Sequence, residues 1–178
     1  MLAVFMTDLD RLFREFNQPL VRYLTRRLGD RDWAEEVAQE TFLRAARQGD
    51  IVSERSWLFA VATNLVRDEA KKDARRRRHL ELLAQEAKAE EPVTPQLVSI
   101  ERAEEAASAR RALDALGERD REALLMREEG LNYTEIAAAL SLSAGSVGTT
   151  LARARRRLVE AYEAQQIARK DKGNHAAS

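Results

Sequence analysis

Between Asn132 and Leu158 the chain reads NYTEIAAALSLSAGSVGTTLARARRRL, where small hydroxyls and guanidinium groups recur on one face of a helix. Ser146, Thr149, Thr150, Arg153 and Arg157 share that face. Hydroxyls reach single donors or acceptors at short range and guanidiniums bridge two acceptors, which suits the base edges and phosphates of a DNA major groove. Residues 143–158 hold four arginines and no acid, so the local field there has one sign. A second basic block, residues 67–79, carries seven basic and three acidic groups. Asn64 stands just before it, with a side-chain amide able to pair with a base edge or to satisfy a neighbour. Residues 80–106 reverse the sign, two basic groups against seven glutamates: Glu81, Glu86, Glu90, Glu91, Glu101, Glu104 and Glu105. The formal net charge of zero hides this sorting, which suits a polyanion at two patches and a separate role for the strip between them.

Composition removes other chemistries. The 178 residues contain no cysteine, and two isolated histidines, His79 and His175, cannot build a conventional zinc centre, so neither a metal nor a cofactor is expected. Acid pairs such as Glu35 and Glu36 are adjacent on a helix and point apart, and no histidine or Gly-rich phosphate loop converges on them, which argues against a helical enzyme. Leu2-Ala3-Val4-Phe5 is too short for a signal-peptide core and no apolar run spans a bilayer, so a cytoplasmic protein is expected.

These residues need helices to position them, and the periodicity predicts an all-α chain. Asn132 can cap a short helix in a capping box with Glu135, Leu140-Ser141-Leu142 forms a corner, and Ser143 caps the next helix, whose Val147, Leu151, Ala154 and Leu158 face inward. This is a helix-turn-helix. Upstream, Leu9, Leu12, Phe13, Phe16, Leu20, Tyr23, Leu24 and Leu28 form the core face of a first helix starting at Thr7-Asp8; Pro19 should kink or divide it, and Gly29 closes it. A second helix, 32–48, turns Trp33, Val37, Ala38, Thr41, Phe42 and Ala45 inward. Its outer stripe of Glu36, Gln39, Glu40, Leu43 and Arg47 frames one leucine with polar groups, as a protein-docking surface would. A third helix, 53–78, buries Trp57, Leu58, Val61, Ala62 and Leu65 and then turns basic through Arg67, Lys71, Lys72 and Arg75 to Arg78. Residues 79–100 lose periodicity and gain Pro92 and Pro95, reading as a flexible acidic linker between two small helical domains, 1–78 and 101–164. A frayed tail is expected over 165–178.

Three stretches carry a resemblance: EEVAQETFLRA (35–45), SWLFAVATNLVRDEAKKDARRR (56–77) and LDALGERDREALLMREEGLNYTEIAAALSLSAGSVGTTLARARRRL (113–158). In this order, with the acidic strip between them, they resemble the extracytoplasmic-function group of bacterial sigma-70-family sigma factors, which keeps only the second and fourth conserved regions. The resemblance implies a non-catalytic subunit that docks on the beta and beta-prime subunits of RNA polymerase core, finds a promoter and helps melt it. An anti-sigma protein is a further candidate partner. It places core-polymerase binding on Glu36, Gln39, Glu40 and Leu43, minus-ten contacts on Asn64, Arg67, Lys71 and Arg75, and minus-thirty-five contacts on Ser146, Thr149, Arg153 and Arg157. It also implies that the acidic linker enters the channel later used by RNA. Members commonly carry Lys or Arg after the valine and Arg two residues later, where this chain has Gly148 and Thr150; Arg153 is then expected to dominate the upstream contact. The rival reading is a conventional dimeric helix-turn-helix repressor or activator, which would bind duplex DNA specifically without polymerase.

Overall fold

Apolar residues spaced three and four apart coil almost all of the described chain into helix. The structure, a computed structural model, describes the backbone of residues 2–83 and 100–175 and the side chains of residues 9–73 and 102–170. Among the described residues there are seven helices: α1 (Leu2–Leu28), α2 (Arg31–Gln48), α3 (Glu54–Leu83), α4 (Ile100–Asp114), α5 (Glu118–Glu128), α6 (Tyr133–Leu140) and α7 (Ala144–His175). The all-α expectation holds.

Pro19 neither ends nor divides α1, which runs through it as one helix. The lost N–H costs one ladder bond, but Phe16, Leu20, Tyr23 and Leu24 on either side are buried, and their packing outweighs it. Gly29 follows at φ +75, donating its N–H to the Thr25 carbonyl at 2.8 Å. A Cβ here would collide with the Arg110 guanidinium, which donates to the carbonyls of Thr25 (3.4 Å) and Arg27 (3.3 Å), capping the negative end of α1. Phe13, expected in the core, is instead 47% exposed and leans edge-on against Phe42 with ring centroids 5.1 Å apart. Asp30 caps α2, accepting from the Trp33 amide at 3.0 Å, and Ala34, Val37, Ala38, Thr41, Phe42 and Ala45 are its buried face.

Two helices outrun their sequence boundaries. Helix α3 continues to Leu83, into the stretch read as linker, and residues 84–99 of that stretch lie outside those described. Helix α7 runs to His175 where a frayed tail over 165–178 was expected. Its extension lies along α4: the Gln165 amide meets the buried Ser108 hydroxyl at 2.9 Å and Arg169 pairs with Glu104. Helix α3 also buries a broader arc than expected. Leu58, Phe59, Ala62, Thr63 and Val66 are fully inside, while Trp57 and Leu65 are half-buried, because α3 packs against α1 and α2 on one side and α6 on the other.

That last contact was not foreseen. Sequence periodicity suggests two domains on a tether, yet Ala123, Leu125, Met126, Leu131, Ile136 and Ala137 belong to the same buried cluster as Leu20, Tyr23, Phe59 and Val66. The halves 2–83 and 100–175 share one core.

The short α6 depends on its cap. The Asn132 side chain accepts from the Glu135 amide at 2.9 Å, and the Glu135 carboxylate accepts from the Asn132 amide at 2.8 Å, satisfying two otherwise unpaired donors. Asn132→Ala is expected to lower unfolding stability by about 1 kcal/mol, measured by urea titration; an unchanged midpoint would show that packing alone holds α6.

Candidate nucleic-acid and protein interface

The corner between α6 and α7 fixes how the reading helix is presented. Ser141 adopts the left-handed conformation (φ 53) and its N–H, like that of Leu142 at 2.8 Å, donates to the Ala137 carbonyl, turning the chain within two residues. Serine tolerates this conformation at some cost. Val147, Leu151 and Ala154 are fully buried and lock the start of α7 against the core. Thr149 and Arg157 are exposed and Ser146 is half-exposed, its hydroxyl donating to the Ser143 carbonyl at 2.8 Å. Thr150 departs from expectation: at 5% exposure it is inside, since it lies beside Leu151 and three residues from Val147 on the edge of the buried stripe. A Cβ at Gly148 would make only ordinary contact with the Tyr133 ring at 3.6 Å, so packing does not demand glycine there.

Arg153 is not a free guanidinium. It grips Asp120 of α5 with two bonds, Nε to Oδ2 at 2.8 Å and Nη2 to Oδ1, while Arg157 Nη1 lies 3.5 Å from Oδ2. The Asp120 side chain is 4% exposed and that of Arg153 40%. The bonds from Arg153 hold the Asp120 carboxyl below the usual aspartate range, and burial, which acts the other way, does not cancel them. Asp120 in turn raises the Arg153 pKa, chiefly through the same hydrogen bond. Asp120 was missed in the sequence because its partners lie 33 and 37 residues away. The available signal was an acid sharing a helix face with Ala123 and Leu124.

On α3, Asn64 and Lys71 are exposed. Arg67, four residues before Lys71, is bound to Glu122 of α5 through Nε (3.2 Å) and Nη2. The side chain of Arg75 lies outside the described residues. The α2 stripe is open to solvent: Leu43 is 47% exposed and Glu40 pairs with Arg44 at 2.8 Å. The stripe borders two clefts. Glu36 and Glu40 line one of about 400 Å³ against α3 with Trp33 and Leu65, while Gln39 lines one of about 840 Å³ against α1 with Phe13. Trp33 anchors the first by donating its indole N–H to Glu69 at 2.7 Å. A third cleft, about 890 Å³ and apolar, is lined by Leu113, Leu124, Leu158, Val159, Tyr162 and Ile167. The sequence reading turned Leu158 inward but foresaw no cleft, and Ile167 lies in the stretch expected to fray. Among the described residues, no cluster of His, Asp or Glu is arranged to hold a metal, and no helix is long and apolar enough to cross a membrane.

A capped helix-turn-helix packed beside a helical bundle is the architecture of a DNA-binding transcription protein. Comparison with known proteins narrows this. The sigma-70 region 2 family model matches residues 12–76 and the sigma-70 region 4 model matches residues 106–158. The chain is 32% identical over 143 residues to the ferric citrate uptake sigma factor FecI of Escherichia coli, covering 76% of this chain and 79% of FecI. It is 31% identical over 160 residues to the ECF RNA polymerase sigma factor SigE of Mycolicibacterium smegmatis, covering 86% of this chain. The chain spans 61% of the SigE length. In fold it resembles the sigma factor RpoE of Bartonella quintana, solved in complex with the anti-sigma factor NepR, at TM-score 0.65 and 21% identity, covering 88% of this chain and 97% of that one. The chain belongs to the sigma-70 family, in its extracytoplasmic-function group.

The depressed Asp120 pKa makes a signed prediction. A carboxyl whose folded pKa lies below its unfolded value stabilises the fold above the unfolded pKa, and that contribution is lost as pH falls through the folded value. Asp120→Asn is therefore expected to cost about 1.5–3 kcal/mol at neutral pH, the range for hydrogen bonds to charged groups. It should also flatten the loss of stability below pH ~4, read from thermal melts across pH. Identical acid profiles in the two proteins would show that the pair is not coupled to folding.

Proposed function

We propose that this chain is a promoter-directing initiation factor that docks on RNA polymerase core, carries it to particular promoters in the cytoplasm and helps open the duplex, with no catalysis of its own. The observation that carries this reading is the conjunction, in one chain of the sigma-70 family, of an open polar stripe around Leu43, a basic helix bearing Asn64 and Lys71, and a capped helix-turn-helix. Residues 1–78 form the core-binding and melting unit, 79–100 the connector, and 101–164 the upstream-reading unit. The partners are the beta and beta-prime subunits, promoter DNA and, by analogy with the Bartonella complex, an anti-sigma protein.

The α2 stripe of Glu36, Gln39, Glu40 and Leu43 is the polymerase anchor, since an exposed leucine rimmed by polar groups serves no packing inside the chain. In the minus-ten element Asn64 reads a base swung out of the duplex, while Arg67, Lys71 and Arg75 hold phosphates. In the minus-thirty-five element Ser146, Thr149 and Arg157 meet DNA directly. Arg153 contributes its charge from a position fixed by Asp120.

A pull-down with core polymerase followed by run-off transcription tests the whole reading; specific duplex binding without polymerase, and none with it, would favour the dimeric repressor instead. Leu43→Glu should cost affinity for core while helicity and melting temperature stay unchanged, and full affinity in that variant would misplace the anchor. For promoter contacts, Asn64→Ala should lower discrimination at one minus-ten position. Lys71→Ala should weaken all promoters alike and reduce the salt slope by about one unit. An equal loss on every base substitution in Asn64→Ala would make that amide structural.

A further inference from the structure

Among the described residues, every ion pair between the two halves runs in one direction. Arg22 and Arg26 bind Glu129, Arg27 binds Glu122 and approaches Glu118, Arg55 approaches Glu135, and Arg67 binds Glu122, so five arginines of α1 and α3 meet four glutamates of α5, its C-cap and α6. Chance pairing across a surface mixes directions; this one presents a basic wall to an acidic one. The central acid is unusual in depth. Glu122 is completely buried, with Arg27 Nη2 2.7 Å from Oε1 and the Arg67 fork spanning both oxygens, Nε to Oε1 at 3.2 Å and Nη2 to Oε2. Carboxylate and phosphate offer a guanidinium fork the same paired-oxygen geometry, so a wall of arginines that accepts one accepts the other. The fit to glutamate is incomplete: the Arg27 side chain is 4% exposed, yet its Nε donor has no acceptor. Arg67 itself is assigned to promoter phosphate above, and both of its bonding nitrogens are taken by Glu122.

We propose that Arg22, Arg26, Arg27, Arg55 and Arg67 form a phosphate-binding surface for the DNA backbone, and that in the free chain the glutamates of the C-terminal half sit on it in place of DNA. This rests on the initiation-factor reading. Both occupants need the same guanidinium nitrogens, so they exclude each other: DNA gains this surface only when α5 and α6 lift from α1 and α3. The covering acids are those of α5 and α6, fixed in the fold, and the acidic strip of 80–106 is not required.

The absence of cysteine allows a direct test on the whole 178-residue chain. Ala60 of α3 and Ala138 of α6 line one cleft between the halves; Ala60→Cys with Ala138→Cys, joined by a bismaleimide linker containing a disulfide, pins the closed form until reduced. The probe is a fluorescein-labelled single-stranded DNA of mixed sequence at low salt, followed by anisotropy. Cleaving the linker should tighten binding by about tenfold or more, the scale of recovering a few phosphate contacts. Equal affinity before and after cleavage would overturn the proposal. Adding Arg22→Gln and Arg55→Gln should shrink that gain, and an unchanged gain would place the phosphate surface elsewhere and overturn it too. Glu122→Gln without a linker should bind the probe more tightly than the unaltered chain; should it fail to fold, the linked pair, which keeps Glu122, still decides. Run-off transcription with core polymerase and reduced protein separates the two claims: no transcript with the gain intact sinks the initiation-factor reading alone, and transcript without any gain sinks the phosphate surface alone.

Discussion

A fully buried carboxylate is costly unless countercharges surround it, and Glu122 has two. This interaction settles where α5 lies. With Arg27 rising from α1 and Arg67 from α3, the acid meets both only where those helices converge, and the apolar residues beside it, Ala123, Leu125 and Met126, are thereby pressed into the N-terminal core. Neighbouring groups register the same charge. Tyr23, buried and bonded to the Thr63 hydroxyl at 2.8 Å, has its phenol pushed well above the usual range, first by burial and then by Glu122. It therefore serves as a neutral donor or acceptor and never as an anion. Hydrophobic contact supplies the attraction between halves, and the ionic contacts choose the register.

How the chain would act depends on keeping some polar groups occupied and others open. Asp120 holds Arg153 by two bonds, while Thr149 and Arg157 are exposed on the same helix. Glu129, with a side chain only 3% exposed, collects Arg22 and Arg26 at the rim. By contrast Leu43, Asn64 and Lys71 stay exposed on the N-terminal half.

Helices, capping box and corner were legible in the sequence because they are written in neighbours. Asn132 and Glu135 stand three apart, and the buried stripe of α2 follows the helical repeat without exception apart from Trp33, half in and half out. What was not legible depends on partners distant in sequence. Nothing near Asp120 announces Arg153, nothing near Glu122 announces Arg27, and Thr150 looked outward until the edge of the core was known. Phe13 misled in the other direction, since a phenylalanine on an apolar stripe reads as core even where a second ring covers only its edge. The ends of α3 and α7 were placed too early because composition alone marked them polar, whereas α7 is held by contacts from α4, which runs antiparallel beside it. The site residues followed from the family resemblance more than from chemistry alone, and their partners inside the fold followed from neither.

The length of α7 gives the molecule a lever. From Thr149 to Gln165 the helix rises about 24 Å at 1.5 Å per residue, without a proline to bend it. One end bears Ser146 and Thr149, half-exposed and exposed, and the other rests in a cradle formed by Ser108, Ala112 and Leu113 of α4. A stiff rod pivoting on Leu151, the buried fulcrum, tilts as a whole: a shift of one ångström in the cradle, about 21 Å away at 1.5 Å per residue, turns the helix axis by about 3° and moves Thr149 only a small fraction of an ångström in the opposite sense. Alanine and serine in the cradle keep the rod close to α4, and bulkier side chains there would change the angle of entry into DNA without touching a single DNA-facing residue.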